Sequence, residues 1–274
     1  MRARLGVCSW SLQPTSPDDL ARKVRECGLR RVQLALGPLH SGQWEERATL
    51  EALHEHGIEI VSGMLSTQGE DYTTLATIRE TGGLRPDRCW QHNLEAARAE
   101  AALARRLGLS LVTFHAGFLP EEHGDPERAK LIDRLRQVCD IFQEQRVRLG
   151  FETGQETAAT LAEVLRELDH PAAGVNFDPA NMILYGMGEP VAALKLLRDH
   201  VRQVHVKDAL PTRRPGTWGE EVPVGQGAVD WTGFLAIVRE LGVDLMIERE
   251  AGGERTGDIR AARELVERHL GSCA

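Results

Sequence analysis

Apolar positions along this chain alternate between two periods, and the alternation repeats from end to end. Short runs rich in β-branched and apolar residues fall at Leu5–Cys8, Arg31–Leu36, Ile58–Met64, Leu109–Phe114, Val147–Glu152, Ala173–Asp178, Val201–Val206 and Asp244–Glu248. Each reads as a strand. Between them the apolar residues recur at helical spacing, as in Leu20, Val24 and Cys27, or Leu161, Val164, Leu165 and Leu168. The predicted helices are Pro17–Cys27, Glu46–His56, Gln91–Leu107, Pro126–Gln145, Ala158–Leu168, Val191–Leu197, Trp231–Leu241 and Asp258–Leu270.

Gly28, Gly57, Gly108 and Gly242 stand between a helical pattern and the next strand, in CGLRRVQL, HGIEIVSG, LGLSLVTF and LGVDLMIE. That is where a helix ends in a left-handed residue. Strand and helix alternating in this way predict parallel pairing with right-handed crossovers. A single (β/α)₈ barrel over residues 1–274 fits the length, since such barrels take about 250 residues. An open doubly wound sheet is the alternative. Two connections are long, Leu65–Trp90 and Ala209–Asp230, and both fall where strands end. Loops of that length in a compact fold are commonly lids or substrate walls.

Charge and composition narrow the partners. With 33 Lys and Arg against 41 Asp and Glu, the formal net charge is −8. No basic patch with interleaved aromatics is present, so a nucleic-acid partner is not expected. The five cysteines, Cys8, Cys27, Cys89, Cys139 and Cys273, are scattered, odd in number and without a CxxC pair. This usage suits a reducing compartment. The N-terminal segment lacks the long apolar core of a signal peptide, and no run approaches the roughly 20 apolar residues of a membrane span. A cytoplasmic protein acting on a small molecule is the expectation, and a homo-oligomer is compatible with it.

Four of the last strand-like runs end in a residue that can bind a divalent cation: Glu152, Asp178, His205 and Glu248. In a (β/α)₈ barrel the C-terminal strand ends converge on one face, where active sites are built. Three carboxylates and one imidazole suit a borderline-hard ion, Mn²⁺ first, with Mg²⁺, Co²⁺ or Zn²⁺ as alternatives. Four protein ligands would leave a six-coordinate ion two positions for substrate oxygens. Each residue also has a plainer reading. Asp178, before Pro179, can begin a turn, and His205 with Lys207 and Asp208 can form a hydrogen-bonded cluster.

The segments FETGQET, GVNFDPAN, VHVKDA, VGQGAVDW and MIERE resemble those of the xylose isomerase-like barrel superfamily, over essentially the whole chain. That group contains sugar isomerases, ketose 3-epimerases, inosose dehydratases and an AP-endonuclease branch. The resemblance implies one divalent metal held by Glu152, Asp178, His205 and Glu248, with the two glutamates also shuttling protons. The implied activity is a metal-dependent isomerase or epimerase acting on a sugar or sugar phosphate. It would abstract a proton beside a carbonyl and pass through a metal-stabilised enediolate. Two strands separate Glu152 from Glu248, and at about 4.8 Å per strand the pair can flank one sugar carbon. The alternatives are an inosose-type dehydratase on the same scaffold and a carbohydrate-binding barrel that turns nothing over.

Further candidates surround that centre. His115 in TFHAG is a substrate donor or a structural histidine. Lys207, two residues after His205 and so on the same strand face, binds substrate or pairs with a ligand carboxylate. Glu156 resembles a substrate-contacting acid of the epimerases, and is otherwise a charge at a helix start. Trp10, Trp44 and Trp218 are candidate apolar walls or packing anchors. Gly225-Gln226-Gly227 reads as a tight turn before an Asp230 cap. GGERTGD opens a helix whose N-terminus suits an anion, with Arg255 beside it.

The chain also departs from its relatives. The Asp-x-x-His of the endonuclease branch reads Asp178-Pro-Ala-Asn181, and its Asp-x-His has only Asp230-Trp231-Thr232 as a match. A trinuclear zinc site is therefore not expected. Asn181 also replaces a histidine that epimerases often carry, while keeping the capacity to hydrogen-bond a substrate hydroxyl.

Overall fold

A computed structural model of the protein describes residues 4–271; Cys273 lies outside them. The barrel strands are β1 (Leu5–Cys8), β2 (Arg31–Ala35), β3 (Glu59–Met64), β4 (Leu111–Phe114), β5 (Arg148–Glu152), β6 (Ala173–Phe177) and β7 (Val201–Val206). A short pair, β8 (Asp208–Leu210) and β9 (Glu220–Val222), precedes the last barrel strand, β10 (Asp244–Ile247). The barrel closes in the order β1-β10-β7-β6-β5-β4-β3-β2, every pair parallel. Closure depends on Leu5, Gly6 and Val7 pairing with Leu245, Met246 and Ile247 across nearly the whole chain. The open-sheet alternative is thereby excluded.

Helix starts follow the local chemistry. Ser16 accepts from Asp19 N ahead of Pro17–Glu26, Asp125 from Glu127 N ahead of Pro126–Glu144, and Asp230 from Gly233 N ahead of Trp231–Leu241. Each side chain satisfies an amide that the helix leaves unpaired. The expected C-terminal glycines are left-handed, with φ of 72° at Gly28, 63° at Gly57, 72° at Gly108 and 64° at Gly242.

Alternation along each strand sorts its side chains between two environments. Val175 and Phe177 are buried against the helices, as are Leu149, Phe151, Val204 and Val206. Each fully buried side chain of this kind contributes roughly 1.5–3 kcal/mol. The intervening residues fill the barrel lumen, and many are polar. Gln33, Ser62, Thr113, Asn176 and Gln203 are all fully buried. Ser62 on β3 donates to Gln203 on β7 at 2.6 Å, and Gln203 donates to Gln33 on β2 at 2.9 Å. Gln33 in turn donates to Thr113 on β4 at 2.7 Å. The lumen beneath the strand ends is thus a satisfied polar layer, which is affordable because every member has a partner.

Both long connections carry structure that periodicity does not reveal. Residues 65–90 contain a helix, Leu75–Thr81, opened by a Thr74–Thr77 capping box, and the next helix begins at Asp87. Residues 209–230 include most of the β8–β9 antiparallel pair, which starts at Asp208. Among the described residues no helix is long and apolar enough to cross a membrane.

Candidate metal centre

Strands β5, β6, β7 and β10 are neighbours in the barrel, and each delivers one side chain to a common point. Glu152 ends β5, Asp178 and Glu248 directly follow β6 and β10, and His205 lies within β7. One ligand atom from each of the four lies within 4.8 Å of all the others, and all four residues are buried. The two glutamates therefore approach more closely than the strand spacing alone implies, because their side chains lean towards the barrel axis.

The distances around His205 are those a cation site would need. Its Nδ1 lies 3.6 Å from Glu152 Oε1, 3.5 Å from Asp178 Oδ2 and 3.4 Å from Glu248 Oε2. Those separations exceed ordinary hydrogen bonds, and both Nδ1 and Asp178 Oδ2 are buried without a hydrogen-bond partner. Hard divalent ions bind oxygen at about 2.0–2.6 Å, which leaves adjacent ligands of an octahedron roughly 2.8–3.7 Å apart. The donor set fits such an ion.

The other side of the ring explains why Nδ1 faces the carboxylates. Gln33 is oriented by its donation to Thr113, so its Oε1 meets His205 Nε2 at 2.9 Å. That contact suits the tautomer with the proton on Nε2, in which the Nδ1 lone pair faces the carboxylates, as in the usual outer support of a metal-bound histidine. Asn176 Nδ2 lies 3.0 Å from the same nitrogen and donates to Glu152 Oε2 at 3.3 Å. Cys8 Sγ, 3.7 Å from Nε2, is pushed up to about 12 by burial and stays a thiol.

Each carboxylate of the cluster is held differently. Glu152 Oε1 accepts from Asn181 Nδ2 at 2.9 Å and lies 3.8 Å from His115 Nε2. Burial disfavours its charge, but His115 and His205 outweigh burial and hold its pKa below the usual range. Glu248 accepts from Trp10 Nε1 at 2.8 Å and from Lys207 Nζ at 2.9 Å. Lys207 and His205 overcome the cost of burial there and hold it well below. Asp178 accepts from Ala180 N and Asn181 N through Oδ1, so it starts a short helix as well as presenting Oδ2 to the centre. Burial pushes it up to about 6, against the pull of Lys207. The turn reading of Asp178 and the pairing reading of Lys207 hold alongside their places at the centre.

Above the ligands opens a cavity of about 460 Å³ lined by Trp10, Ala35, Met64, His115, Asn181 and Lys207, with Glu70, Tyr72, Tyr185, Trp218, Glu221 and Glu250 contributed largely by loops. Glu70 and Tyr72 come from the first long connection, and Trp218 and Glu221 from the second, so both wall the site. None of the four lines this cavity directly, but Trp10 and Lys207 of its wall donate to Glu248 and Asn181 donates to Glu152. A larger groove of about 810 Å³, between the helices Ala158–Leu168 and Pro190–Leu197, shares no residue with that wall.

Three expectations are redirected. Glu156 does not line the cavity above the ligands. It is buried in a neighbouring one of about 450 Å³ with Arg79, Phe118 and Gln155, where burial pushes it up to about 8. Trp44 packs in the hydrophobic core, leaving Trp10 and Trp218 as the tryptophan walls. Arg255 folds back to donate to the Glu250 and Gly252 carbonyls instead of marking an anion site. As expected, Gly225 to Gly227 form a turn, but its amides are gathered by Asp208, which accepts from Gly225 N, Gly227 N and Trp231 Nε1.

Residues 21–269 match the family model of xylose isomerase-like TIM barrels. Among curated proteins, the chain is 29% identical over 147 residues to the uncharacterised protein YihM of Escherichia coli, covering 52% of this chain and 44% of that one. It is 26% identical over 156 residues to a 3-dehydroshikimate dehydratase of Bacillus anthracis, covering 51% and 55%. The chain thus spans about half the length of these curated relatives. Among solved structures, a xylose isomerase domain protein of Planctomyces limnophilus is 28% identical over 100% of both chains, with a TM-score of 0.89. The fold alone is shared with two more distant structures. One is a D-allulose 3-epimerase of Methylomonas in complex with D-allulose, at 14% identity, coverage of 98% and 97% and a TM-score of 0.71. The other is a barrel of Mycobacterium smegmatis in complex with magnesium, at 18% identity, coverage of 98% and 96% and a TM-score of 0.69.

Proposed function

The chain belongs to the xylose isomerase-like TIM barrel family, and from that premise we propose that it is a divalent-metal-dependent isomerase or epimerase of a sugar or sugar phosphate. The observation that carries this reading is the convergence of Glu152, Asp178, His205 and Glu248, with Nδ1 and Oδ2 left unpartnered, against Trp10, Asn181 and Lys207 of the cavity wall. Those four residues would hold the ion. When bound, it would polarise the substrate carbonyl and disperse the charge that builds as the adjacent C–H bond breaks. Structures of the same fold hold D-allulose in one case and magnesium in another, which is compatible with a sugar and a divalent ion here.

The chain's own groups account for the proton transfers. Glu152 and Glu248 approach the centre from β5 and β10, and each has the second contact needed to fix its direction: Asn181 for Glu152, Trp10 and Lys207 for Glu248. Removal of the proton by one glutamate and delivery by the other inverts the carbon. Return by the same glutamate to the adjacent carbon isomerises the substrate. His115, 3.8 Å from Glu152 and lining the cavity, would donate to a substrate oxygen.

A dehydratase is the second reading, favoured by the 26% identity to 3-dehydroshikimate dehydratase. It begins with the same proton abstraction and then expels a β-hydroxyl, with His115 as the donor. Incubation with Mn²⁺ in deuterium oxide, across free ketoses, ketose phosphates, inososes and 3-dehydroshikimate, separates the two. An isomerase or epimerase incorporates deuterium beside the carbonyl with no loss of water; a dehydratase releases water. Neither exchange nor loss with any substrate refutes both and leaves a binding protein.

A further inference from the structure

The wall of the cavity carries acidic charge that its bases do not balance. Among the described residues lining it, Glu70, Glu221 and Glu250 are acidic, Lys207 is the fixed base, His115 is titratable and no arginine takes part. Lys207 is already committed on both sides, 2.9 Å from Glu248 and 2.6 Å from Glu250. Glu221 is matched by Arg249, which is itself shared with Asp258. Glu70 receives neutral donors, the Gly83 amide and the Thr67 and Tyr72 hydroxyls. Arg255, in the loop after Glu250, is turned onto its own backbone.

From this charge distribution we propose that the site selects an uncharged polyhydroxy carbonyl compound and rejects relatives bearing phosphate or carboxylate, with Glu250 as the specificity-determining residue. The inference rests on the functional reading above and narrows its substrate. Lys207 is buried and fixed, and would otherwise be the natural partner of an anionic substrate group. Glu250, whose side chain is 53% exposed, reaches it from the solvent side and cancels that charge. An incoming anion must displace Glu250 while facing Glu70 across the cavity. A neutral ligand leaves the clamp undisturbed and stacks its apolar edges on Trp10, Tyr72, Tyr185 and Trp218.

Calorimetric titration tests this on the full chain, first with Mn²⁺ and then with a free ketohexose, the same ketohexose carrying a terminal phosphate, and the matching aldonate. The native protein should bind the free sugar at least about tenfold more tightly than either anion, the effect of one like-charge contact of roughly 1.4 kcal/mol. Glu250→Gln should bring the anions to within about threefold of the free sugar, more so at low salt. Glu70→Gln should move the preference in the same direction and serves if the first variant does not fold. Anions that bind the Mn²⁺-loaded native protein as tightly as the free sugar overturn the selectivity and leave the functional reading standing. A protein that takes up no Mn²⁺, or takes it up and binds no sugar, overturns both.

Discussion

Replacing Glu100 by glutamine should stabilise the protein, and by an amount that grows with pH. Glu100 lies on the helix Asp87–Arg106 with only 3% of its surface exposed. Its Oε2 has no hydrogen-bond partner, and the nearest base, His40, stands 3.9 Å from Oε1. Burial pushes the carboxyl up to about 8, from an ordinary value of 4.5. The folded protein therefore keeps a proton that the unfolded chain releases near pH 4.5. Stability from this proton is fully present below pH 4.5 and is lost as pH rises to 8. At about 1.36 kcal/mol per pH unit, the loss reaches roughly 3 kcal/mol at pH 7 and 4–5 kcal/mol above pH 8. A water reaching Oε2 would reduce these figures. Glutamine has nearly the same shape and does not titrate. Urea unfolding of both proteins at pH 5, 6, 7 and 8, with chelator present throughout, isolates the difference. The variant should match the native protein within about 1 kcal/mol at pH 5 and exceed it by roughly 2–4 kcal/mol at pH 8. A gap that does not change with pH would show that Glu100 is ionised in the folded state, and the desolvation argument would fail.

The remaining predictions concern the centre. Glu152→Gln and Glu248→Gln should each lower kcat by about 10²–10⁴, the range for loss of a general acid or base, and each should weaken Mn²⁺ binding; undiminished turnover in either variant would remove that residue from the reaction. Gln33→Leu leaves all four proposed ligands in place but takes away the acceptor on His205 Nε2. Mn²⁺ affinity, measured by competition with a chelator, should fall by about 10–100-fold, as found for other outer supports of metal-bound histidines. Unchanged affinity would mean that the polar layer does not position His205.

Much of the barrel was legible in the chain because its signals are local. Strand runs alternate at period two, helix stripes repeat at 3.6, and left-handed glycines mark where one gives way to the other, so the eight strands fall within two residues of their expected limits. Even the lumen's polar layer left a trace. Gln33, Asn176 and Gln203 are polar residues within apolar strands, at the alternation that points them inward. The four strand-end residues were readable as a set because a parallel barrel sends every strand end to one face.

Tertiary structure alone decided the rest. Local pattern says which face a residue occupies, not which distant residue it meets. Closure through Leu5 and Leu245, the direction of Glu156, the burial of Trp44 and the capture of Lys207 by Glu250 are contacts between separate parts of the chain. The loops that wall the cavity carry no period, so their side chains acquire direction only when packing and hydrogen bonds such as those of Glu70, Asp208 and Glu221 hold them.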